Sequence, residues 1–470
     1  MPRRTNERVA LAVATLASFL TPFMGSATNV ALPAIGREMR LDAVALSWVA
    51  TAYLLSAAVF LVPFGKLADI HGRRRVFVGG LAVYTATSTL CALAPSFPFL
   101  LAGRVAQGLG GGMIFGTSVA ILTSIFPPGG RGLALGVNVG AVYLGLSLGP
   151  PVGGLLTEHL GWRSVFVSNV ALGGVATAMA AWGLAGEWKE SPDDRLDGRG
   201  AVLYGVGLFS LMYGLSRLPS ATGAVLVALG LVSLAAFVSW ERRAAHPLLD
   251  MALFAQNRVF AFSNLAALIN YAATFAVGFL LSLYLQTVRG LTAQAAGGIL
   301  AVQPLVQACL SPFAGRLSDR VEARIVASSG MAVIAGGLAL LAFAGPATPF
   351  GFVIACLVLL GAGFALFSSP NTNAVMGSVE KRAYGVASAT LATMRLVGQM
   401  LSMGLASLVL GLVVGREALG PDQATRFVAG LRAAFVLYAL LCSLGVLASL
   451  ARGRSGGATH EGTGADVIAT

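Results

Sequence analysis

Polar residues in this chain gather into short clusters, and the stretches between them are apolar. A helix needs about 20 apolar residues to cross a bilayer. That rule places spans over 9–31, 45–64, 76–94, 97–126, 132–157 and 164–186. A polar break, "EWKESPDDRLDGRG", follows. Two spans then occupy 200–217 and 222–240, and a second break reads "ERRAAHPLLDMALFAQNR". Six more spans fall at 259–287, 293–314, 325–344, 350–378, 384–414 and 428–451. The pattern predicts an all-α membrane protein: an N-terminal six-helix half over 1–186, a linker with two additional helices over 187–258, and a C-terminal six-helix half over 259–451. A Gly-, Thr- and charge-rich tail over 452–470 is expected to be disordered.

Composition agrees with that pattern. Of 470 residues, 56% are hydrophobic and 11% charged, where a soluble domain carries about a quarter charged residues. The net charge of +12 would point to nucleic acid in a soluble chain. Here the basic residues sit in loops between apolar runs, where they set topology, so a nucleic-acid partner is not expected. With the N-terminus inside, about 21 Lys and Arg fall in cytoplasmic segments against about 8 outside, leaving Arg104 and Arg395 within the membrane. A multi-pass protein of the cell membrane with both termini cytoplasmic is therefore expected. The N-terminus has basic residues ahead of an apolar run about twice the length of a signal-peptide core, which reads as the first span. Cys91, Cys309, Cys356 and Cys442 lie in apolar runs without metal-ligand or disulfide spacing, and no metal or cofactor is implied.

The chain also repeats itself. "GKLADIHGRRR" at 65–75 is echoed by "GRLSDR" at 315–320, an offset of 250 residues, at the same place in each half. Duplicated membrane halves build transporters that rock about a central site. "GKLADIHGRRR" resembles the loop signature of the major facilitator superfamily. "RVAQGLGGG" resembles its fourth-span motif, and "GLSLGPPVGG" at 145–154 the fifth-span motif of its antiporters. "NVALPAI" at 29–35, "LDGRG" and "ASATLATMRLVGQ" at 387–399 are similar to the fourteen-span drug:proton antiporter branch. The resemblance covers nearly the whole chain and implies two six-helix bundles with two helices inserted between them. It further implies alternating access, efflux of a small molecule and proton antiport.

Each motif has a physical reading beside the implied one. Gly65 and Gly72 allow tight turns, and Asp69 supplies an acid among Lys66, Arg73, Arg74 and Arg75. Such a cluster can form breakable ion pairs, and the resemblance makes it a cytoplasmic gate with Asp69 as its central residue. Gly145, Gly149 and Gly153 recur every four residues, giving a smooth face for close packing, with Gly154 beside them. Pro150 and Pro151 remove backbone donors and are expected to bend the helix near its outer end. The family reading of this motif is a gate that limits leak and favours export.

Arg104 and Arg395 carry the sharpest question, because an arginine mid-span costs roughly 3 kcal/mol on the translocon scale. Arg104 lies about 9 Å below the outer end of its span and Arg395 about 20 Å above the inner end of its own. The two are expected at similar depth, one in each half, with Gln107 on the Arg104 face. Arginine does not give up its proton in practice, so each would bias a nearby acid or bind an anion. The branch usually carries a first-span aspartate where this chain has Met24, and every acid falls in a loop or at a span end. Three routes stay open: Glu158 or Asp42 titrating at the outer mouth under Arg104, coupling through Asp69, or an anionic substrate with the two arginines as counter-charges. Asn138, Asn270, Tyr271, Gln303 and Gln307 lie at membrane depth and are possible cavity residues, and "FSSPNTN" at 367–373 suggests a helix break at Pro370.

No phosphate loop of the G-x-x-x-x-G-K-[ST] kind is present. The histidines, His71, His159, His246 and His460, are scattered, so enzymatic chemistry is not expected. A receptor built on a transporter fold is the other class, and saturable flux would separate them. The expected protein is a monomeric secondary transporter, exporting a small molecule by proton antiport or, alternatively, passing an anionic metabolite without it.

Overall fold

The computed structural model describes residues 7–126, 131–190, 194–249, 251–380, 384–415 and 423–453, without the side chains of 131–133 and 319. The first six rods are α1 (Glu7–Met39), α2 (Ala43–His71), α3 (Arg73–Ala92), α4 (Phe97–Ile125), α5 (Arg131–Leu160) and α6 (Arg163–Gly183). The insert is α7 (Gly198–Arg217) and α8 (Ala221–Glu241), followed by the short α9 (Met251–Gln256). The next two rods are each in pieces: α10 (Arg258–Thr274), α11 (Ala276–Leu283) and a π-turn (Tyr284–Val288), then α12 (Ala293–Leu300) and α13 (Val302–Arg320). Four rods close the chain: α14 (Ala323–Leu341), α15 (Phe350–Gly377), α16 (Tyr384–Val413) and α17 (Ala424–Leu450). No strand occurs among the described residues.

Among the described residues twelve helices, counting each broken pair as one, are long and apolar enough to cross a membrane. The two rods that fall short, α3 and α7, have the length but carry polar sequence: α3 begins "RRR" and holds Thr85, Thr87, Ser88 and Thr89. Both described termini lie at one end of the bundle, called basal here; the opposite end is distal.

The two halves are built alike. In the first, α1 packs on α5 and α6, α4 on α2 and α3, and α3 on α6. In the second, α10 packs on α16 and α17, α15 on α13 and α14, and α14 on α17. These are the same five pairings, so the short loop echo in the sequence belongs to a whole duplicated bundle. α7 and α8 pair with each other, and α7 lies along α2 and α16, spanning the seam between the halves.

Glycines let the helices approach. On α4, Gly108, Gly112 and Gly116 face α2 at four-residue spacing, and a Cβ at Gly108 would stand 2.4 Å from the Tyr53 carbonyl. On α5, a Cβ at Gly145 would stand 2.5 Å from the Phe19 carbonyl and one at Gly153 2.7 Å from Ala27 Cα, so α1 and α5 meet backbone to backbone.

The structure departs from the sequence reading in three places. α15 runs unbroken through Pro370, with Pro370 and Asn371 both buried, so "FSSPNTN" is no break. The interruptions lie instead at Ala301, between α12 and α13, and at Phe275, between α10 and α11, where Ser402 Oγ accepts the Ala276 amide at 3.0 Å. The tail was expected from Arg452, but Arg452 is only 2% exposed. Residues 454–470, the rest of that expected tail, lie outside the described residues, as do Lys381 and Arg382.

Candidate transport site

Arg104 is drawn inside the first half by the glycine-rich packing of α4. It is 1% exposed. Its Nε donates to the Val49 carbonyl at 2.8 Å and its guanidinium also donates to Gln107 Oε1. The same guanidinium stands 4.6 Å from the centre of the Tyr53 ring and 6.0 Å from that of Phe166. Gln107 Nε2 passes the network to Ser88 Oγ at 2.7 Å, which also accepts Asn169 Nδ2 at 2.7 Å. No acid forms an ion pair with Arg104 among the described residues. Carbonyl dipoles and aromatic faces stabilise the charge instead. Every group here comes from α2, α3, α4 or α6, so Arg104 is a strut of one bundle and does not line a cavity between the two.

Arg395 is different. It is half-buried on α16, and its guanidinium donates to Thr372 Oγ1 on α15 at 2.7 Å. It stands 5.9 Å from the Tyr271 ring, and its buried Nε has no partner. Tyr271 packs edge-on against Phe364 with ring centres 5.8 Å apart. One turn before Thr372, Ser368 Oγ meets the Tyr143 hydroxyl of α5 at 3.2 Å. Arg395, Tyr271, Thr372, Ser368 and Phe364 of the second half thus gather against Tyr143 of the first.

The other sequence candidates divide. Met24 is buried in the apolar core. Asn270 is fully buried with neither side-chain polar atom partnered, and Asn138 is buried with a free Oδ1. Gln303 is half-buried and Gln307 buried. None of these four is brought into hydrogen bonding with Arg395. Tyr143, Ser368 and Thr372 were missed by sequence. The signal was available for the last two, since an i, i+4 pair of hydroxyls flanks Pro370 in an otherwise apolar span.

The seam between the halves is closed distally. A Cβ at Gly154 would stand 2.4 Å from the Ala293 carbonyl, and one at Gly297 2.2 Å from the Pro150 carbonyl, so α5 and α12 touch backbone to backbone. Glu158 Oε2 accepts the Gln294 amide at 3.0 Å across that seam, and Gln286 Nε2 donates to the Val30 carbonyl at 2.9 Å. Glu158 is therefore an exposed cap on α12. It has no contact with Arg104, which removes the pairing that the sequence left open. Gly149 serves the first half alone, a Cβ there falling on Ser26 of α1.

The loop signature also closes on its own half. Asp69 Oδ1 accepts Arg73 Nε at 2.8 Å, and Arg73 reaches Glu190 at 3.0 Å and Ser124 Oγ at 2.6 Å. Gly72 has φ 127°, and a Cβ there would collide with Glu187, whose Oε1 accepts the Arg74 amide at 2.8 Å. Arg74 also donates to the Ala181 carbonyl at 2.8 Å. Lys66 pairs with Asp194, holding that carboxyl below the usual carboxylate range, and His246 pairs with the same residue. A Cβ at Gly65 would meet open space. The described partners of this cluster beyond Asp69 are Ala181, Glu187, Glu190, Asp194, His246 and α4.

The second half has a counterpart. Arg452, just past α17, donates from Nε to the Ser449 carbonyl at 2.9 Å and from Nη1 to Ser263 Oγ and Asn371 Oδ1, each at 3.3 Å. Burial brings its guanidinium down to about 10. The residues after the sixth helix of each half thus fold back across that half's basal end.

The family described as the Major Facilitator Superfamily matches residues 14–255 and 264–466. The cephamycin export protein CmcT of Amycolatopsis lactamdurans is 35% identical over 465 residues, covering 96% of this chain and 94% of that one. The multidrug resistance protein Stp of Mycobacterium tuberculosis is 31% identical over 388 residues, 81% of this chain and 72% of that one. A crystal structure of a peptide transporter in complex with alafosfalin superposes with a TM-score of 0.69 at 15% identity, covering 92% and 93% of the two chains. With two like-paired bundles, a distal seal between them and a polar cluster at their seam, the chain belongs to the Major Facilitator Superfamily, whose members are transporters and not enzymes.

Proposed function

We propose that the protein exports small amphipathic anions by alternating access, with Arg395 as the residue that receives the anionic group. One observation carries this reading: a guanidinium at the seam of the halves that keeps an unpartnered buried N–H and forms no ion pair among the described residues. An arginine so placed needs an anion from elsewhere, and its planar fork suits a carboxylate or phosphate. Tyr271 and Phe364 offer an apolar wall beside it, and Tyr143 connects the cluster to the moving partner half. The positive-inside rule makes the basal end cytoplasmic, so the distal seal belongs to the state that takes substrate from the cell.

Export is supported by relatives whose names describe cephamycin export and multidrug resistance. We infer proton antiport as the driving force from the fifth-span motif. The second reading, an anion permease without antiport, is favoured by the lack of any acid in the Arg395 cluster among the described residues. Flux in proteoliposomes separates them. Gradient-driven movement of aromatic carboxylates, cut at least tenfold in Arg395→Gln, supports the export reading, about 1.4 kcal/mol of lost interaction. Flux indifferent to the pH gradient yet lost in the variant favours the permease. Preferred transport of cations, unchanged in Arg395→Gln, overturns both.

A further inference from the structure

The insert carries a pair of carboxyls that neither the Arg395 cluster nor the loop signature uses. Asp197 precedes α7 and Glu241 ends α8, so both stand at the basal base of the hairpin. Asp197 is fixed from two sides. Its Oδ1 accepts the Gly200 amide at 3.0 Å, capping α7, and its Oδ2 accepts Trp240 Nε1 at 2.6 Å. Glu241 is 3% exposed. Its Oε2 accepts the Leu249 amide at 3.0 Å and the Leu248 amide also faces its carboxyl, while its buried Oε1 makes no hydrogen bond.

The unpartnered oxygen points at the other acid. A Cβ at Gly200 would stand 2.5 Å from Glu241 Oε1 and 2.6 Å from Asp197 Oδ2, so the bare glycine leaves room for the two to face each other. The Asp197 side chain is within hydrogen-bonding reach of Glu241 and is the charged neighbour that acts on it. Asp197 is only part-buried, yet two carboxylate oxygens held this close beside the buried Glu241 repel unless a proton joins them. The other charges at this base are directed elsewhere. Arg199 lies over the Trp240 ring at 5.5 Å, Arg242 and Arg243 are exposed, and His246 and Lys66 are taken by Asp194.

We propose that Asp197 and Glu241 bind one proton between them, and that this proton fastens the base of the inserted hairpin. A metal ion suits the site less well, since N–H groups already occupy three of the four oxygens and no third acid, His or Cys joins the pair among the described residues. Losing the proton turns the contact repulsive and frees the Leu249 amide. The segment 242–249 then loosens, and that segment carries His246 to Asp194 and through it to Lys66 of the loop signature. The site goes beyond the transport reading and does not depend on what the protein carries.

The test is hydrogen exchange of the amides in 242–249, corrected for intrinsic rate, on the full-length protein from about pH 5 to about pH 9. Between the ordinary carboxylate range and the pair's own titration, protection of Leu249 falls about tenfold per pH unit, the slope for one proton, and it levels off above that titration. The sign follows from the folded pair holding a proton that the unfolded carboxyls release, so protection is complete in acid and lost as pH rises. Glu241→Gln supplies its own N–H to Asp197 and removes the dependence. Asp197→Asn does the same and stands in if the first variant does not fold. His246→Gln keeps the wild-type slope. Protection indifferent to pH in the wild type, a slope that survives in Glu241→Gln or Asp197→Asn, or one that vanishes in His246→Gln overturns the proposal.

Discussion

Arg104 and Arg395 are the same residue type, each within a span, and their surroundings are opposite. Arg104 sits on α4, which glycines press against α2 and α3, and its hydrogen bonds end on neutral groups of its own bundle. Arg395 sits on α16, the counterpart of α5 and so a helix at the seam of the halves, and one of its N–H groups is left over. What separates them is the helix that carries each and the side it presents. A charge whose donors are met by fixed dipoles belongs to the scaffold, and a charge with a donor to spare is available to a ligand.

The contrast can be broken most forcefully at Arg104. Arg104→Leu strands Gln107 and leaves a packing defect inside four helices, and should cost about 2–4 kcal/mol. That loss is expected as a lower midpoint of thermal unfolding in detergent, for apo and substrate-bound protein alike. A variant of normal stability that cannot bind substrate would make Arg104 a ligand after all. Gly297→Val comes next. Its Cβ falls 2.2 Å from the Pro150 carbonyl, and overpacking of that kind costs about 1–3 kcal/mol. The cost falls on the distal seal, so a cysteine placed at Gln294 should become reactive to a membrane-impermeant thiol reagent.

Arg395→Gln should leave thermal stability within about 0.5 kcal/mol of wild type, with the loss confined to substrate binding in a thermal-shift titration. The smallest effect is Thr372→Val, which releases Arg395 from its one described tether. Removing a hydrogen bond of this kind is worth about 0.5–1.5 kcal/mol, and substrate affinity should rise or fall by no more than about tenfold. An unfolded Arg395→Gln would erase the distinction between the two arginines.

Sequence alone revealed the rods, because runs of apolar residues long enough to cross a bilayer leave few alternatives. It revealed the duplication through the loop echo alone, although the close approaches rest on glycines at matching places, Gly80, Gly108, Gly110 and Gly145 answering Gly330, Gly361, Gly363 and Gly398. It counted both arginines along their helices but could not place them around the helix axis. Depth is a matter of counting residues, whereas direction depends on which neighbouring helix comes closest. The glycines that set the direction for Arg104 were present as "GLGGG", with Gly108, Gly112 and Gly116 four apart. "EWKESPDD" read as a polar break, yet its Glu187, Glu190 and Asp194 are the partners of the basic loop signature. An acidic stretch beside a basic loop of the same half was the signal. Asp197 and Glu241 stayed hidden because 44 positions separate them and only the hairpin brings them together.

The way each half is tied at its base sets an order of assembly. A ribosome finishes the first six helices and at once delivers the acids that bind Arg73 and Arg74, so that half can lock before the insert is made. The second half waits for Arg452, which joins the ends of α10, α15 and α17 and is made after all of them. A nascent chain halted at the last helix would hold one finished bundle and one still unbuttoned, exposed to the quality-control proteases of the membrane until a single further residue emerges.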